Sequence, residues 1–145
     1  MSVALTPEQS DLREAVADLL EKRSPEKEVR RLMADEGGYD AALWSELAAM
    51  GLLGLVIPET FGGSGAGAAE LAVACEQMGR ALLCAPYLST AVLSANLLLA
   101  LGDTAEQNDV LPRIAAGGLI TSVAFAEPGS ARPAEVPLTV AARNA

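Results

Sequence analysis

Three carboxylates stand out from the solvated surface as candidates for chemistry: Glu59, Glu76 and Glu127. None has an evident partner in the sequence that would tune it as a general base, and Glu59 and Glu127 each lie beside a proline, where a turn or capping role is the default interpretation. The chain has no histidine, which excludes both a Ser-His-Asp triad and a His-based metal site. Its cysteines and carboxylates also lack zinc or EF-hand spacing. The residues alone therefore predict no catalytic residue and no metal ligand.

The composition indicates a helical protein whose main partner is neither nucleic acid nor an anionic membrane. The 145 residues suit one domain, and 51% hydrophobic with only 3% aromatic residues favours packed helices over a β-sandwich. The formal net charge of -9 at pH 7 argues against nucleic acid or an anionic membrane as the main partner. A local basic site for a phosphate-bearing ligand is compatible with this net negative charge.

The cysteines and the N-terminus predict a cytoplasmic protein. Cys75 and Cys84 are nine residues apart on one predicted helix, hence on opposite faces, so we expect buried thiols and no disulfide. The first residues have no basic and apolar signal-peptide regions, and no uninterrupted apolar run reaches membrane-spanning length.

Capping and breaking residues predict about six helices in an up-and-down bundle. Thr6-Pro7 and Asp40 are typical helix starts, and the Ser24-Pro25 and Asp103–Glu106 motifs begin two more. The predicted helices run from Thr6 to Arg23, Ser24 to Met33, Asp40 to Met50, Ala68 to Leu83, Tyr87 to Leu101, and Asp103 to Gly117.

Two stretches depart from the helical pattern. The pattern of Leu52–Gly67 predicts an apolar strand-like piece followed by a glycine-rich loop. The loop lacks the lysine and the glycine spacing of a phosphate loop. Its glycines therefore indicate tight turns and close backbone packing. Ile120–Phe125 gathers β-branched and aromatic residues and stops at Glu127-Pro128-Gly129, which predicts a strand running into a turn. Free backbone groups at such a strand end are able to hold a planar polar ligand.

The fourth and fifth helices are the candidate ligand-lining elements. Gly79 in the Ala-rich fourth helix favours close helix–helix approach, with cavity lining as the second interpretation. The fifth helix is apolar almost all round, which predicts burial in the middle of the bundle. Ser89, Thr90 and Leu93 share one of its faces. They either line a tunnel for an acyl chain and its head or serve backbone hydrogen bonds or a subunit contact.

Several short motifs, in order and at characteristic spacing, resemble the N-terminal portion of the acyl-CoA dehydrogenase family over nearly the whole chain. They are Met50–Gly54, Pro58–Gly65, Glu76–Gly79, Gly102 with Glu106-Gln107, Leu111-Pro112, Gly117 and Ala124–Pro128.

The resemblance implies a helical N-terminal domain over residues 1–117 and the start of a middle β-domain over 118–145. Family members use FAD as hydride acceptor in the α,β-dehydrogenation of an acyl-CoA thioester, commonly pass electrons to an electron-transfer flavoprotein, and assemble as homo- or hetero-oligomers. The family's catalytic base would lie outside this sequence. The resemblance therefore predicts a chain that is incomplete as a catalyst.

The family's flavin-contacting strand corresponds to Val123, Ala124, Phe125 and Ala126. Ala126 stands where members commonly have threonine, so backbone donors at Phe125 and Ala126 would serve instead. After Pro128 the usual Gly-Ser-Asp is replaced by Ala131, Arg132 and Pro133. Arg132 could hold a phosphate of FAD or CoA through a bidentate contact.

The same departure leaves a second hypothesis open. Under this hypothesis the cofactor site is degraded, and the chain is a non-catalytic helical partner subunit of an acyl-CoA dehydrogenase hetero-oligomer.

Overall fold

The computed structural model describes residues 4–101 and 104–124. Over those ranges the chain is helical and six helical elements follow one another, as the capping pattern predicts. Their bounds are α1 Pro7–Arg23, α2 Glu26–Met33, α3 Ala41–Ala49, α4 Ala68–Arg80, a π-helical segment Leu88–Ser94 that continues into α5 Ala95–Leu101, and α6 Thr104–Ala115. None of these helices is both long and apolar enough to cross a bilayer.

Helices α1 and α3 begin where their caps predict, whereas α2 begins at Glu26 without a side-chain cap. Thr6 and Gln9 form a complete capping box at α1, with Pro7 in the first turn. The Asp40 carboxylate accepts hydrogen bonds from the Ala42 and Leu43 amides at 2.8 and 3.2 Å. These bonds use backbone donors that a helix start otherwise leaves unpaired.

Two hydrophobic clusters hold the helices together. The larger cluster joins α1, α3, α4 and the start of the π-helical segment, and it includes Val16, Leu20, Leu43, Leu47 and Leu53. The smaller cluster lies between α5, α6 and the loop after α3, around Ile57, Leu111 and Ile114. The fifth helical element thus contacts both clusters.

The prediction of a strand-like piece after α3 is wrong. Leu52–Gly54 and Glu59–Phe61 form two short 3₁₀ turns, because the loop folds back on itself: Ser64 donates to the Gly54 carbonyl and Gly65 to that of Ile57. A Cβ on Gly63 would lie 2.0 Å from the Ile57 oxygen. The expected close backbone packing of the glycines is confirmed, and it replaces the strand.

The predicted end of the fourth helix and the form of the fifth also need correction. The fourth helix ends at Arg80, and Leu82 has a left-handed φ of 49°, so Cys84 is not on α4. Both cysteines are free thiols, as expected, but they are half-buried and not buried as predicted. The fifth helix starts in π-helical register, where the Ser94 hydroxyl donates to the carbonyl of Ser89, five residues earlier.

Burial of the fifth helix on all sides is not found in the described chain. Its Thr90, Ala91, Ser94 and Ala95 are buried. The opposite face is open to solvent at four leucines, with exposed fractions of 61% at Leu88, 37% at Leu93, 40% at Leu97 and 62% at Leu101.

After α6 the chain runs on to residue 124 without regular secondary structure. The strand predicted from Ile120 is therefore absent from the described residues 118–124. The rest of the stretch, from Phe125 onward, lies outside the described residues. A β-domain beginning at 118 stays a prediction.

Candidate functional site

The segment after α6 is fixed at its root by Trp44. The indole Nε1 donates a 3.0 Å hydrogen bond to the carbonyl of Gly117. Gly117 has a left-handed φ of 74°, and a Cβ there would lie 2.8 Å from the Cβ of Ala48. A glycine is therefore required for the turn that directs the chain from α6 back across the bundle.

Four residues after Gly117 the segment is attached again, this time to the π-helical segment at Thr121. The Thr90 hydroxyl donates to the Thr121 carbonyl at 2.9 Å and accepts from the Thr121 amide at 3.1 Å. Thr90 is completely buried. One side chain thus satisfies both backbone polar groups of one residue.

A chiefly apolar cleft of about 370 Å³ opens beside this attachment; we call it the tail cleft. Its walls come from the end of the π-helical segment, from α5 and α6, and from the segment after α6. Thr121 Oγ1 is buried at its edge and has no hydrogen-bond partner among the described residues. The lining residues are Ser94, Leu97, Leu98, Val110, Thr121, Ser122, Val123 and Ala124.

A second apolar cleft of about 320 Å³, the α4 groove, lies on the other side of the start of the π-helical segment. Gly79 lines it, and a Cβ at Gly79 would meet nothing within 4 Å. The close helix–helix approach predicted for Gly79 is therefore wrong, and cavity lining describes it. The lining residues are Cys75, Met78, Gly79, Leu82, Leu83, Ala85, Tyr87 and Leu88.

The polar groups of the α4 groove are neutral at physiological pH. Burial raises the pKa of the Cys75 thiol and raises the pKa of the Tyr87 phenol still further, because a low dielectric disfavours the charged form. The Tyr87 hydroxyl donates to the Leu52 carbonyl at 2.9 Å. A protonated thiol is not a nucleophile, so this groove suits an apolar group better than a reacting one.

The predicted acyl-lining residues lie on the turn between the two clefts. Ser89 donates to the Pro86 carbonyl at 3.1 Å, Thr90 holds Thr121, and Leu93 is 37% exposed. Their neighbours Leu88 and Ser94 line the α4 groove and the tail cleft respectively. A tunnel lined by Ser89, Thr90 and Leu93 stays a prediction.

Of the predicted flavin contacts, Val123 lines the tail cleft. Phe125, Ala126 and Arg132 lie outside the described residues, as does Glu127. The other two candidate carboxylates have surface roles: Glu76 pairs with Arg80 at 3.4 Å on an exposed face, and Glu59 begins an exposed 3₁₀ turn.

Sequence reasoning missed the leucines and the serine of the tail cleft because it assumed a regular helix from Tyr87. A π-helical turn rotates the following residues relative to α-helical spacing, which places Ser94 and Leu97 toward the segment after α6. In the structure the Ser94 hydroxyl donates to the Ser89 carbonyl, five residues earlier, at 2.8 Å.

Comparison with known proteins places the fold. Residues 6–118 match the family model described as acyl-CoA dehydrogenase, N-terminal domain. A relative, acyl-CoA dehydrogenase IpdE2 of Mycolicibacterium smegmatis, is 41% identical over 122 residues, which is 83% of this chain and 38% of the relative.

Two solved structures share the architecture. The ChsE4-ChsE5 complex from Mycobacterium tuberculosis superposes with a TM-score of 0.80 at 29% identity over 90% of this chain and 36% of the matched chain. The Tcur3481-Tcur3483 steroid ACAD G363A variant gives a TM-score of 0.74 at 35% identity over 84% of this chain and 33% of the matched one. The present chain therefore spans little more than a third of the proteins it matches. It belongs to the acyl-CoA dehydrogenase family and carries that family's N-terminal helical domain.

Proposed function

We propose that the chain forms the helical part of an FAD-dependent acyl-CoA dehydrogenase that removes hydrogens from Cα and Cβ of an acyl-CoA thioester. The observation that carries the proposal is the pair of apolar clefts on either side of the π-helical segment. One of them is bordered by the residues that lead into the predicted flavin-contacting strand. In this proposal one cleft receives the apolar acyl chain and the other receives the planar ring of the flavin.

The tail cleft fits the edge of a planar aromatic ring. Its walls are chiefly apolar, and Thr121 is one of the lining residues, with a buried Oγ1 that has no partner among the described residues. In this proposal Val123, with Phe125 and Ala126, borders the isoalloxazine, and Arg132 neutralises a phosphate of FAD or CoA. The flavin supplies the acceptor for the β-hydride, while these residues bind it and exclude water.

The α4 groove and the face carrying Ser89, Thr90 and Leu93 receive the acyl chain. An apolar lining with neutral polar groups favours a hydrocarbon over a charged ligand. Because one structural neighbour is described as a steroid ACAD, a steroid-bearing acyl-CoA is a substrate class to test beside fatty acyl-CoAs. An electron-transfer flavoprotein is the proposed electron acceptor.

The test is flavin content and uptake. Protein purified from its native assembly should show the visible absorption band of flavin in roughly stoichiometric amount, or regain it on adding FAD. Arg132→Ala should weaken FAD or CoA retention, and an unchanged affinity would remove Arg132 from the site. Colourless protein that takes up no FAD would overturn flavin binding by this chain.

Substrate contact has a separate test. Leu93→Trp should slow turnover of long acyl chains before short ones, because the larger side chain narrows the acyl path. Equal loss at all chain lengths, together with a lower melting temperature, would indicate misfolding instead.

A non-catalytic partner subunit is the second candidate function. It is favoured by the exposed leucine face of the fifth helical element and by a structural neighbour that is a complex of two different proteins. Co-purification with a flavin-containing partner, with no FAD uptake by the isolated chain, would support it. Reduction of a dye by the chain alone with an acyl-CoA donor would contradict it.

A further inference from the structure

The paired hydrogen bonds between Thr90 and Thr121 point to a role that the acyl-tunnel hypothesis does not include. We propose that Thr90 is a positioning residue, whose hydroxyl fixes Thr121 and thereby sets the course of residues 121–124 along the tail cleft. The attachment itself is independent of the proposed function. Its consequence for flavin binding rests on that function.

The geometry is that of a strand pairing made with a single side chain. In an antiparallel pair, one residue exchanges both an N–H and a C=O bond with the residue opposite. Here the Thr90 hydroxyl donates to the Thr121 oxygen at 2.9 Å and accepts from its nitrogen at 3.1 Å. Both backbone polar groups of Thr121 are thus bonded although no strand lies beside it in the described chain.

Thr90 is itself firmly held. Its side chain is fully buried, its amide donates to the Pro86 carbonyl at 3.1 Å, and a β-branched side chain has few χ1 alternatives. The hydroxyls of Ser89 and Ser94 bond backbone carbonyls on the same turn, at Pro86 and Ser89. The attachment point therefore belongs to the packed helical body.

The attachment controls a wall of the tail cleft. Ser122, Val123 and Ala124 follow Thr121 directly, and all three line the cleft. Val123 is two residues beyond Thr121, about 7 Å along an extended chain. Residues that hold a reacting group need placement to within about 0.5 Å. Loss of the attachment would loosen this wall without altering the helices behind it.

Thr90→Val and Thr90→Ser are the discriminating pair. Valine keeps the shape of threonine and removes both hydrogen bonds, whereas serine keeps the hydroxyl. Ser45→Ala is the matched control, because it removes an exposed hydroxyl that bonds the Ala41 carbonyl in α3, a helix that contributes no lining residue to the tail cleft.

The first measurement is amide hydrogen exchange by NMR on the full 145-residue chain without flavin. In Thr90→Val, the Thr121 amide should exchange about tenfold faster, the effect of losing one or two ordinary hydrogen bonds. Exchange in α1 and α3 should be unchanged. Thr90→Ser and Ser45→Ala should keep the protection of Thr121.

Two results would overturn the positioning role. One is a Thr121 amide that is already unprotected in the unmodified chain, a measurement that needs no variant to fold. The other is acceleration spread evenly over α1, α3 and Thr121 in Thr90→Val, with no rescue by serine, which would show a purely structural contribution.

The second measurement is FAD titration followed by the visible flavin spectrum. Thr90→Val should weaken FAD binding about tenfold and shift the flavin band, with recovery in Thr90→Ser. If the unmodified chain binds no FAD, flavin binding by this chain fails while the exchange result still decides the attachment. Unchanged affinity and spectrum in Thr90→Val, with Thr121 deprotected, would overturn the link between the attachment and the flavin.

Discussion

The helical core and the fifth helical element bury their apolar residues in different ways. In the core, Val16, Leu20, Leu43 and Leu47 are at most 1% exposed and face one another across α1, α3 and α4. The fifth element buries one face and leaves Leu88, Leu93, Leu97 and Leu101 exposed. The first region is complete within the described chain, whereas the second presents several exposed leucines, and exposed apolar side chains grouped on one element are typical of an interface.

The largest expected effect tests that completeness. Leu47→Ala should lower the free energy of unfolding by about 3 kcal/mol, because it removes a fully buried side chain and leaves a cavity. Leu101→Ala, at a residue 62% exposed, should change it by less than about 0.5 kcal/mol. Urea unfolding followed by circular dichroism measures both free energies. Similar losses of stability in the two variants would show that the two regions do not differ in burial.

A smaller effect concerns the cap of α3. Asp40→Ala should cost about 1 kcal/mol, whereas Asp40→Asn should retain most of the stability, because asparagine also accepts at this position. Hydrogen bonding, above all from the Leu43 amide, holds the pKa of Asp40 below its ordinary value. The stabilisation is therefore present at neutral pH and is lost as the pH falls through the folded-state pKa.

Unfolding curves of the Asp40 variants at several pH values measure this effect. The difference between Asp40→Ala and the parent should shrink once the pH falls below about 4. A difference that is constant down to strongly acid pH would assign the loss to something other than the carboxylate.

Gly79→Ala should sharpen the description of the α4 groove. A methyl group there meets open space, so alanine should raise stability by about 0.5–1 kcal/mol through helix propensity alone. Ala72→Gly, at an exposed position of the same helix, should lose a similar amount. A destabilised Gly79→Ala would show that the groove is closed in solution.

The smallest expected change in stability is at the exposed leucines. Leu88→Ser should shift the free energy of unfolding by less than about 0.5 kcal/mol while reducing binding of a hydrophobic dye such as ANS. Dye binding equal to that of the parent would place the dye elsewhere and argue against an accessible apolar face.

The sequence predicted the core well because its signals are local. The capping box at Thr6 and Gln9, the Asp40 cap and the spacing of the leucines each involve residues within one or two turns, and α1 and α3 begin where these residues indicate. The glycine loop was understood as tightly turned, yet its 3₁₀ conformation depends on contacts between Gly63 and Ile57 that no local pattern encodes.

The candidate site was predicted less completely because its contacts are distant in sequence. Val123 was named as a flavin contact only through the family resemblance; it lines the tail cleft, and its contact with flavin stays a prediction. Thr121 and Thr90 are 31 residues apart in the sequence, and no hydrophobic periodicity predicts a contact at that separation. Ser94 and Leu97 line the tail cleft and were not predicted, because the π-helical register of Leu88–Ser94 was not foreseen.

The hydrogen bond from Trp44 to Gly117 makes the protein its own fluorescent reporter. Trp44 is the single tryptophan of the chain, it is 4% exposed, and its indole contacts the turn that starts the segment toward Thr121. Release of that turn would expose the indole to water and shift its emission to longer wavelength. Lifting of the segment from the bundle can therefore be followed optically, without any label.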